Sequence, residues 1–506
     1  MTSKDSPESA KRTVLQDMAD EHTPFIRNCW YVACFSTDLQ AGRLFARVIL
    51  GEPIVLYRCA DGAIVAVKDR CPHRSFPLSA GRLVGDEIEC GYHGMRYGRD
   101  GRCTLVPTQA RAPTAIRVST FPVTEQAPLV WIWMGDPSLA IQPPSSEHWM
   151  LENSTWAASH GYLSVASSYV FLHENLLDLS HLTFLHAQTF GTPDYARAPF
   201  HTEITSTAIK VNRTVQPTRL PPIYADPLGL NGVDAARIVT STYVNPGLSI
   251  SAVVLRDLSK PEDARVDHHI RTAQLVTPCD RDSVHYHFVI ARDFATESTA
   301  VSAFILSAVT AAFAEDVFAL ENMARTRRLD PDPQFIEFSV ASDRAGVALR
   351  RRLLPQSLAT MAIIPLQMRM VYSIGQSSGQ VLDVAQVTDL LGTMGIGVAA
   401  QVVDSVARKL VGGVFEGVLG RLLGGLAGTV AGAATGAATS FATTFALGHA
   451  AQQYYAQERT LGADDLRALF NRLQDEAAAL YPRVRNEVET QAKGLDVQRL
   501  IESIRG

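Results

Sequence analysis

The sequence predicts an α+β multidomain chain: an all-β domain first, an antiparallel-sheet domain with a long helix second, and an all-α glycine-rich domain last. Three observations carry this. Short β-branched runs broken by Gly, Pro and Asp-Gly fill residues 27 to about 140. Longer alternating runs follow from 155 to about 355, ending in a helix-period segment, "VSAFILSAVTAAFAEDVFALENMART". From about 356 Pro almost disappears and Ala, Gly, Leu and Thr dominate. The expected division is a flexible lead at 1–26 and domains at 27–150, 151–355 and 356–506. The 506 residues allow this, at ~100–200 per domain.

Hydrophobic residues make up 46% and charged residues 19%, which supports packed cores and excludes wholesale disorder. Net charge is −5 with scattered Lys and Arg, so no nucleic-acid partner is expected. The polar lead lacks the apolar stretch of a secretory signal. Seven widely spaced cysteines, an odd number, do not make a disulfide framework. A reducing cytoplasmic setting is expected, with thiolates free to bind metal.

In the first domain, "RVILGEPIVLYR" and "GAIVAVKDR" read as strands, with a turn at Asp61-Gly62, and "APLVWIWMGDP" as a later strand. Among these strands lies Cys71-Pro-His73, then sixteen residues, then Cys90-Gly-Tyr-His93. Two thiolates and two imidazoles would suit a Cys₂His₂ zinc site. The short Cys-x-His spacing and the strand context favour a Rieske [2Fe–2S] centre, where two Cys hold one iron and two His the other.

The second domain opens with "SVASSYVFLHENLLDLSHLTFLH", which passes from strand-like to helix-like. It places Asp178, His181 and His186 in an apolar run. Two His and one carboxylate on one face, with the other face open, is the arrangement of O₂-activating non-haem iron. The plain alternative is a buried helix with satisfied polar groups. Five residues span about 140° on a regular helix, so the segment must loosen near His186 for both rings to face one iron. "HTEITSTAIKVNRTV", "LSISAVVLRDL" and "SVHYHFVIARDF" alternate like sheet strands. One face of the last should look into the cavity, which makes His285 and His287 weaker candidates for touching substrate. His173 either lines the pocket or packs.

"DRCPHRSFPLSAGRLVGDEIECGYHGMRYGRDGRC" resembles the Rieske domain of ring-hydroxylating oxygenases, and the likeness extends to "RNCWYVACFSTDL" and "VWIWMGDP". It is like the subgroup with a single oxygenase component that includes vanillate-type O-demethylases and phenoxybenzoate-type dioxygenases. Gly91 replaces that subgroup's usual Pro and Met95 its usual Trp. Phe76 and Tyr92 stand where respiratory Rieske proteins carry an extra disulfide. The resemblance implies a Rieske domain followed by a helix-grip-like catalytic domain. It implies that Cys71, His73, Cys90 and His93 hold the [2Fe–2S] cluster. "NLLDLSHLTFLH" resembles the motif Asn-x-x-Asp-x-x-His-x-x-x-x-His, so His181 and His186 would bind mononuclear Fe(II). Asp178 would bridge to a cluster histidine of a neighbouring subunit, and Asn175 would lie near the iron. The third ligand would be Asp316 in "AAFAEDVFALEN", with Glu315 as its rival and Glu321 matching a further family position.

This implies a terminal oxygenase that uses O₂ to hydroxylate or O-demethylate an aromatic or other hydrophobic ring compound. It also implies a head-to-tail homotrimer and a separate NAD(P)H-dependent flavin and iron–sulfur reductase. No G-x-G-x-x-G after a strand and no four-Cys ferredoxin pattern occurs here. The alternative is a Rieske electron carrier or membrane-tethered scaffold with no chemistry of its own, and the second ligand set argues against it.

The chain runs ~150 residues beyond the usual end of that subgroup. Gly420, Gly424, Gly428, Gly432 and Gly436 repeat every fourth residue and would line one helix face. Leu422 to Gly448 carries no charge over 27 residues, long enough to span a bilayer but poor in large aliphatics. A buried helical hairpin, membrane contact through 410–450 at the inner membrane, and a flexible segment all stay open.

Overall fold

The computed structural model describes residues 18–357 apart from 141, 146–154, 206, 332–334, 336 and 355; beyond these it describes 374, 434–457 and parts of 461–480. The N-terminal region is all β. Strands β1 (Cys29–Phe35), β10 (Val123–Gln126) and β11 (Leu129–Met134) form one sheet in the order β1-β11-β10. A four-stranded sheet follows the order β2 (Phe45–Ile49), β3 (Glu52–Arg58), β4 (Ile64–Lys68), β9 (Thr120–Phe121). A second has the order β5 (Arg82–Val84), β6 (Glu87–Glu89), β7 (Arg96–Tyr97), β8 (Cys103–Leu105).

Ile49 pairs with Glu52, so Leu50 and Gly51 alone turn the β2–β3 hairpin, with φ of 51° and 72°. Positive φ at both positions suits the twist of a two-residue hairpin but is unusual for Leu. Leu50 is held there from outside. Its side chain is buried, and its N–H donates to the Pro278 carbonyl of the second domain at 2.8 Å.

That second domain is one antiparallel sheet of seven strands. Its order is β12 (Ala157–Val165), β18 (Ser283–Arg292), β17 (Asp267–Asp280), β16 (Leu248–Asp257), β15 (Asp234–Asn245), β14 (Ile209–Arg219), β13 (Phe200–Ile204). Alternation assigns the faces. Val211, Ser241, Ser251, Thr272 and Ile290 form one cross-strand row on the concave side. Ile250, Ala273 and Val289 lie on the other side, packed with Val32, Phe35 and Trp131 of the first domain. Helices α1 (Tyr169–Leu177) and α2 (Pro222–Leu228) precede a 31-residue helix α3 (Thr299–Leu329). On α3, Ile305, Val309, Phe313, Asp316 and Leu320 are buried, at spacings that place them on one face.

The alternation also corrects an expectation. Tyr286, Phe288 and Ile290 look to the concave side, where Tyr286 and Phe288 meet Phe313. His285 and His287 therefore face the first domain: His285 reaches the Val48 carbonyl at 3.0 Å and His287 packs edge-on to Phe35. Neither lines the cavity.

Of the glycine repeat, only Gly436 falls among the described residues, within helix α4 (Ala434–Ala456); the other four lie outside them. On α4, Ala446, Leu447, Ala450 and Ala451 are buried. Among the described residues the one helix long and apolar enough to cross a membrane is α3. It carries the buried Asp316 and packs on the catalytic sheet.

Candidate functional site

Two loops of the first domain repeat one backbone pattern. Cys71 N–H donates to the Phe76 carbonyl and Ser75 N–H returns to Cys71 O, at 2.8 and 2.9 Å. Cys90 N–H donates to Met95 O and Gly94 N–H returns to Cys90 O, at 2.8 and 3.0 Å. Ser75 and Gly94 close these loops with φ of 59° and 69°. The loops present Cys71 and Cys90 inward, both buried, and His73 and His93 at the surface. Cys71 Sγ lies 3.1 Å from the Tyr97 hydroxyl. Burial raises the Cys90 thiol, and the adjacent Cys71 thiol raises it further.

The two histidines turn their Nδ1 atoms toward each other, 3.2 Å apart. Two thiols below and two facing imidazole nitrogens above are the donor set that a Rieske cluster needs. Phe76 and Tyr92 touch across the loops, with ring centroids 5.7 Å apart, which fills the place of a disulfide with an aromatic contact. Gly91 also has a reason: a Cβ there would lie 2.9 Å from the Ala80 carbonyl oxygen. Met95 is buried, and its sulfur accepts from the Tyr97 hydroxyl at 3.9 Å.

The second site forms where α1 ends. Ser168 caps its start, and Ser241 Oγ donates to the Leu176 carbonyl at 2.5 Å near its end. Asp178 then leaves the helix in an extended conformation. Its Oδ1 accepts from Ser180 N–H at 2.6 Å, a side-chain turn that stops the helix. His181 begins a single 3₁₀ turn, His181–Thr183, and His186 follows in an irregular loop. The expected loosening is present but starts at Asp178, ahead of both histidines. Gly191 lets this loop fold back, since a Cβ there would lie 2.3 Å from the Leu182 carbonyl oxygen.

Asp316 comes from the buried face of α3. Its Oδ1 lies 3.3 Å from His181 Nε2 and 3.2 Å from His186 Nε2. One ligand atom from each of the three residues falls within 4.8 Å of the others. The remaining ring nitrogens face carboxylates: His181 Nδ1 faces Asp178 Oδ2 at 3.4 Å, and His186 Nδ1 faces Glu315 Oε2 at 2.7 Å. With Nδ1–H donating to these carboxylates, each Nε2 is the ring atom that would be offered to a metal beside the Asp316 oxygen once its own proton is lost. Asn175 Nδ2 donates to that same oxygen at 3.0 Å. Glu315, which the sequence offered only as a rival ligand, instead faces the far ring nitrogen of His186. Its signal was adjacency to Asp316, which alone does not say which carboxylate points inward.

The carboxylates favour positive charge at the histidines. Burial lowers the His181 pKa, but Asp178 and Asp316 outweigh it and raise the value to about 9. Burial raises that of Asp316, but the two histidines bring it down to about 2. Two imidazoles and a carboxylate, each positioned by a further residue, fit a divalent metal of the two-His, one-carboxylate type, whose binding would release the His181 proton.

Beside these donors opens a cavity of about 730 Å³, part of it continuous with solvent. Leu179, Phe190, Val253, Ile270, Val309 and Phe313 supply apolar wall. His173 takes no part in it; the ring is buried against Tyr169 and Tyr243, with Nε2 2.9 Å from the Pro246 carbonyl.

Residues 29–122 match the Rieske [2Fe-2S] domain and residues 165–357 the vanillate O-demethylase oxygenase C-terminal domain. The iron-sulfur subunit of a toluene-4-sulfonate monooxygenase system from Comamonas testosteroni is 32% identical, over 66% of this chain and 97% of its own length. The chain belongs to the Rieske non-haem iron oxygenases. A vanillate O-demethylase oxygenase subunit from a Pseudomonas strain is 30% identical over 65% of this oxygenase and 93% of its own length. A crystal structure of dicamba monooxygenase with 3,6-dichlorosalicylic acid superposes with a TM-score of 0.63 at 26% identity, covering 67% of this chain and 99% of that one. The protein is thus a terminal oxygenase with a Rieske [2Fe–2S] domain and a candidate mononuclear iron site. As an oxygenase component it works with O₂, a substrate and a separate reductase.

Proposed function

We propose that this oxygenase hydroxylates or O-demethylates an aromatic or other hydrophobic ring compound. One observation carries the reading: the donor atoms of His181, His186 and Asp316 converge at the edge of a mostly apolar cavity. Relatives named for vanillate O-demethylation and dicamba O-demethylation support it. In this reading Cys71, His73, Cys90 and His93 hold the cluster, and His181, His186 and Asp316 hold the iron. When bound, the cluster supplies single electrons and the iron supplies O₂ activation beside the substrate. The residues do the rest. Apolar walls exclude water and orient the ring, Asn175 steadies the Asp316 oxygen, and Asp178 and Glu315, each facing Nδ1 of one histidine, orient its Nε2 toward Asp316.

The electron route is proposed to cross between subunits of a head-to-tail trimer, a closed ring of heterologous interfaces. Among the described residues no hydrogen bond, ion pair or ring contact joins His73 or His93 to the iron-site residues of the same chain. Both are exposed, and the Asp178 side chain is itself 35% exposed. A cluster histidine of a neighbour would donate to Asp178, which also accepts from His181.

The domain limits we propose are 27–150, 151–355 and 356–506, with an NAD(P)H-dependent flavin and iron–sulfur protein as reductase. The enzyme is proposed to reside in the cytoplasm, with the tail a helical domain. Its charge-free run favours contact with the inner membrane through 410–450 as the second reading. Absence of cosedimentation with lipid vesicles at low salt would remove that contact.

Iron and acid-labile sulfide analysis tests the two-site reading: roughly three Fe and two sulfides per chain are expected. A screen of ring compounds with a generic reductase, read as product per O₂ consumed, tests the reaction. Turnover of none of them, with both metals present, would overturn it.

A further inference from the structure

We propose that Arg237 is the anion-binding residue of the cavity, so that the ring compound carries an oxyanion, a carboxylate or a sulfonate. This deepens the proposed reaction and rests on it.

Arg237 sits on β15 with its side chain on the concave face, and it is 1% exposed. It is the one Arg or Lys among the residues that line the cavity. A guanidinium stays charged at any working pH, so its burial is costly unless a counter-charge meets it. Among the described residues none provides one at ion-pair distance. Nη1 donates to the Phe190 carbonyl at 2.7 Å, and Nε is buried with no hydrogen-bond partner. The guanidinium lies 4.8 Å from the Tyr195 ring centroid and 5.0 Å from that of Tyr224.

The phenols are not the missing anions. Burial raises Tyr195 to about 12 despite the nearby guanidinium, and burial raises Tyr224 also, although its hydroxyl interacts with the same guanidinium. Asp194 is an exposed carboxylate; burial raises its pKa, and hydrogen bonds from Thr192 and Thr218, its own backbone and the more distant Arg237 together bring it below the ordinary value. Position, not pairing alone, sets Arg237 apart from other buried arginines. Arg292 donates to the Ala295 and Ser298 carbonyls with its Nε likewise unpartnered, and Arg213 donates to that of Leu179; neither lines the cavity.

A row of rings joins Arg237 to the iron site. The Tyr224 ring stacks parallel to Phe190 at 6.2 Å, and Phe190 meets His186 at 5.5 Å. An aromatic acid can rest along this row with its oxyanion at Arg237 and its ring toward the His186 side. The other polar strip is less available, because Gln274 already donates to Ser251 and accepts from Tyr286.

The test uses the full-length holoenzyme and equilibrium binding of shape-matched pairs: para-methoxybenzoate against its amide, and an aryl sulfonate against its sulfonamide. Wild type should bind at least one acid at least ~30-fold more tightly than its neutral partner, as for one side of a buried charge pair. Arg237→Met should abolish that preference by weakening the acid far more than the amide, while Arg237→Lys keeps part of it. The two acids distinguish carboxylate from sulfonate. Equal binding of acid and amide by wild type overturns the proposal, and needs no variant to fold. So does equal weakening of both ligands in a folded Arg237→Met protein. Turnover of neutral rings with no acid preference would sink the anion site and leave the reaction standing. Acid binding through Arg237 with no turnover of any ring would do the reverse.

Discussion

Glu315 holds His186 by the ring nitrogen that faces away from Asp316. Its Oε2 lies 2.7 Å from His186 Nδ1 and also accepts from Thr189 Oγ1 at 2.8 Å. Consecutive carboxylates on α3 thus address opposite sides of one imidazole, one as orienter and one as partner in the donor triad. Glu315→Gln should weaken iron binding by about 10–100-fold, the usual loss when such a partner is removed. Competition with a chelator measures it, with the Rieske spectrum unchanged. Asp316→Ala should lose the mononuclear iron outright under the same conditions.

Asp178 is expected to act on electron delivery more than on iron retention. Asp178→Asn preserves the side-chain turn to Ser180 but removes the carboxylate that faces His181. Both metals should remain, while reoxidation of the reduced cluster in a rapid-mixing experiment slows and most turnover is lost. Loss of iron with an unchanged cluster-to-iron rate would count against this role.

His173 makes stability sensitive to acid. Burial holds its pKa down to about 4, so the folded protein keeps it neutral while the unfolded chain protonates it near the ordinary value. The unfolded state therefore binds the extra proton between about pH 6.5 and 4. His173 stabilises fully above that window, and the contribution falls as pH drops through it, by up to about 3 kcal/mol. In His173→Gln, denaturant midpoints should fall less steeply over the same range. Parallel pH profiles of the two proteins would refute this.

Gly161 provides room for an aromatic cluster beneath the cavity. A Cβ there would lie 2.3 Å from Phe288 Cζ, and Phe288 packs on Phe313 with centroids 5.0 Å apart. Gly161→Ala should destabilise by about 1–3 kcal/mol, the ordinary cost of overpacking. It should also alter ring-compound affinity, because Phe313 lines the cavity. Urea unfolding and ligand titration measure the two effects separately.

Local pattern made much of this enzyme legible. The Cys-x-His and Cys-x-x-His pairs sit on adjacent loops, and spacing alone placed two thiols and two imidazoles within one small structure. Strand alternation in residues 200–292 and the apolar face of α3 also follow from side-chain period. What pattern could not choose was direction. In "SVHYHFVIARDF" it set His285 and His287 apart from Tyr286 and Phe288 but not which set met the cavity. That was decided when Val32, Phe35 and Trp131 of the first domain covered one side of the sheet.

The metal triad shows the same division. By itself the sequence determined that Asp178, His181 and His186 lie together and that α3 carries a Glu-Asp pair. Only the tertiary structure decided that Asp316 points inward and Glu315 toward the far nitrogen of His186. Rotation of α3 is set by burial of Ile305, Val309, Phe313 and Leu320, which carries Asp316 to the inside with them. Arg237 was not legible at all. In sequence it is one Arg in an alternating strand, and only closure of the sheet around it leaves the guanidinium inside a mostly apolar cavity, with no carboxylate among the described residues at ion-pair distance.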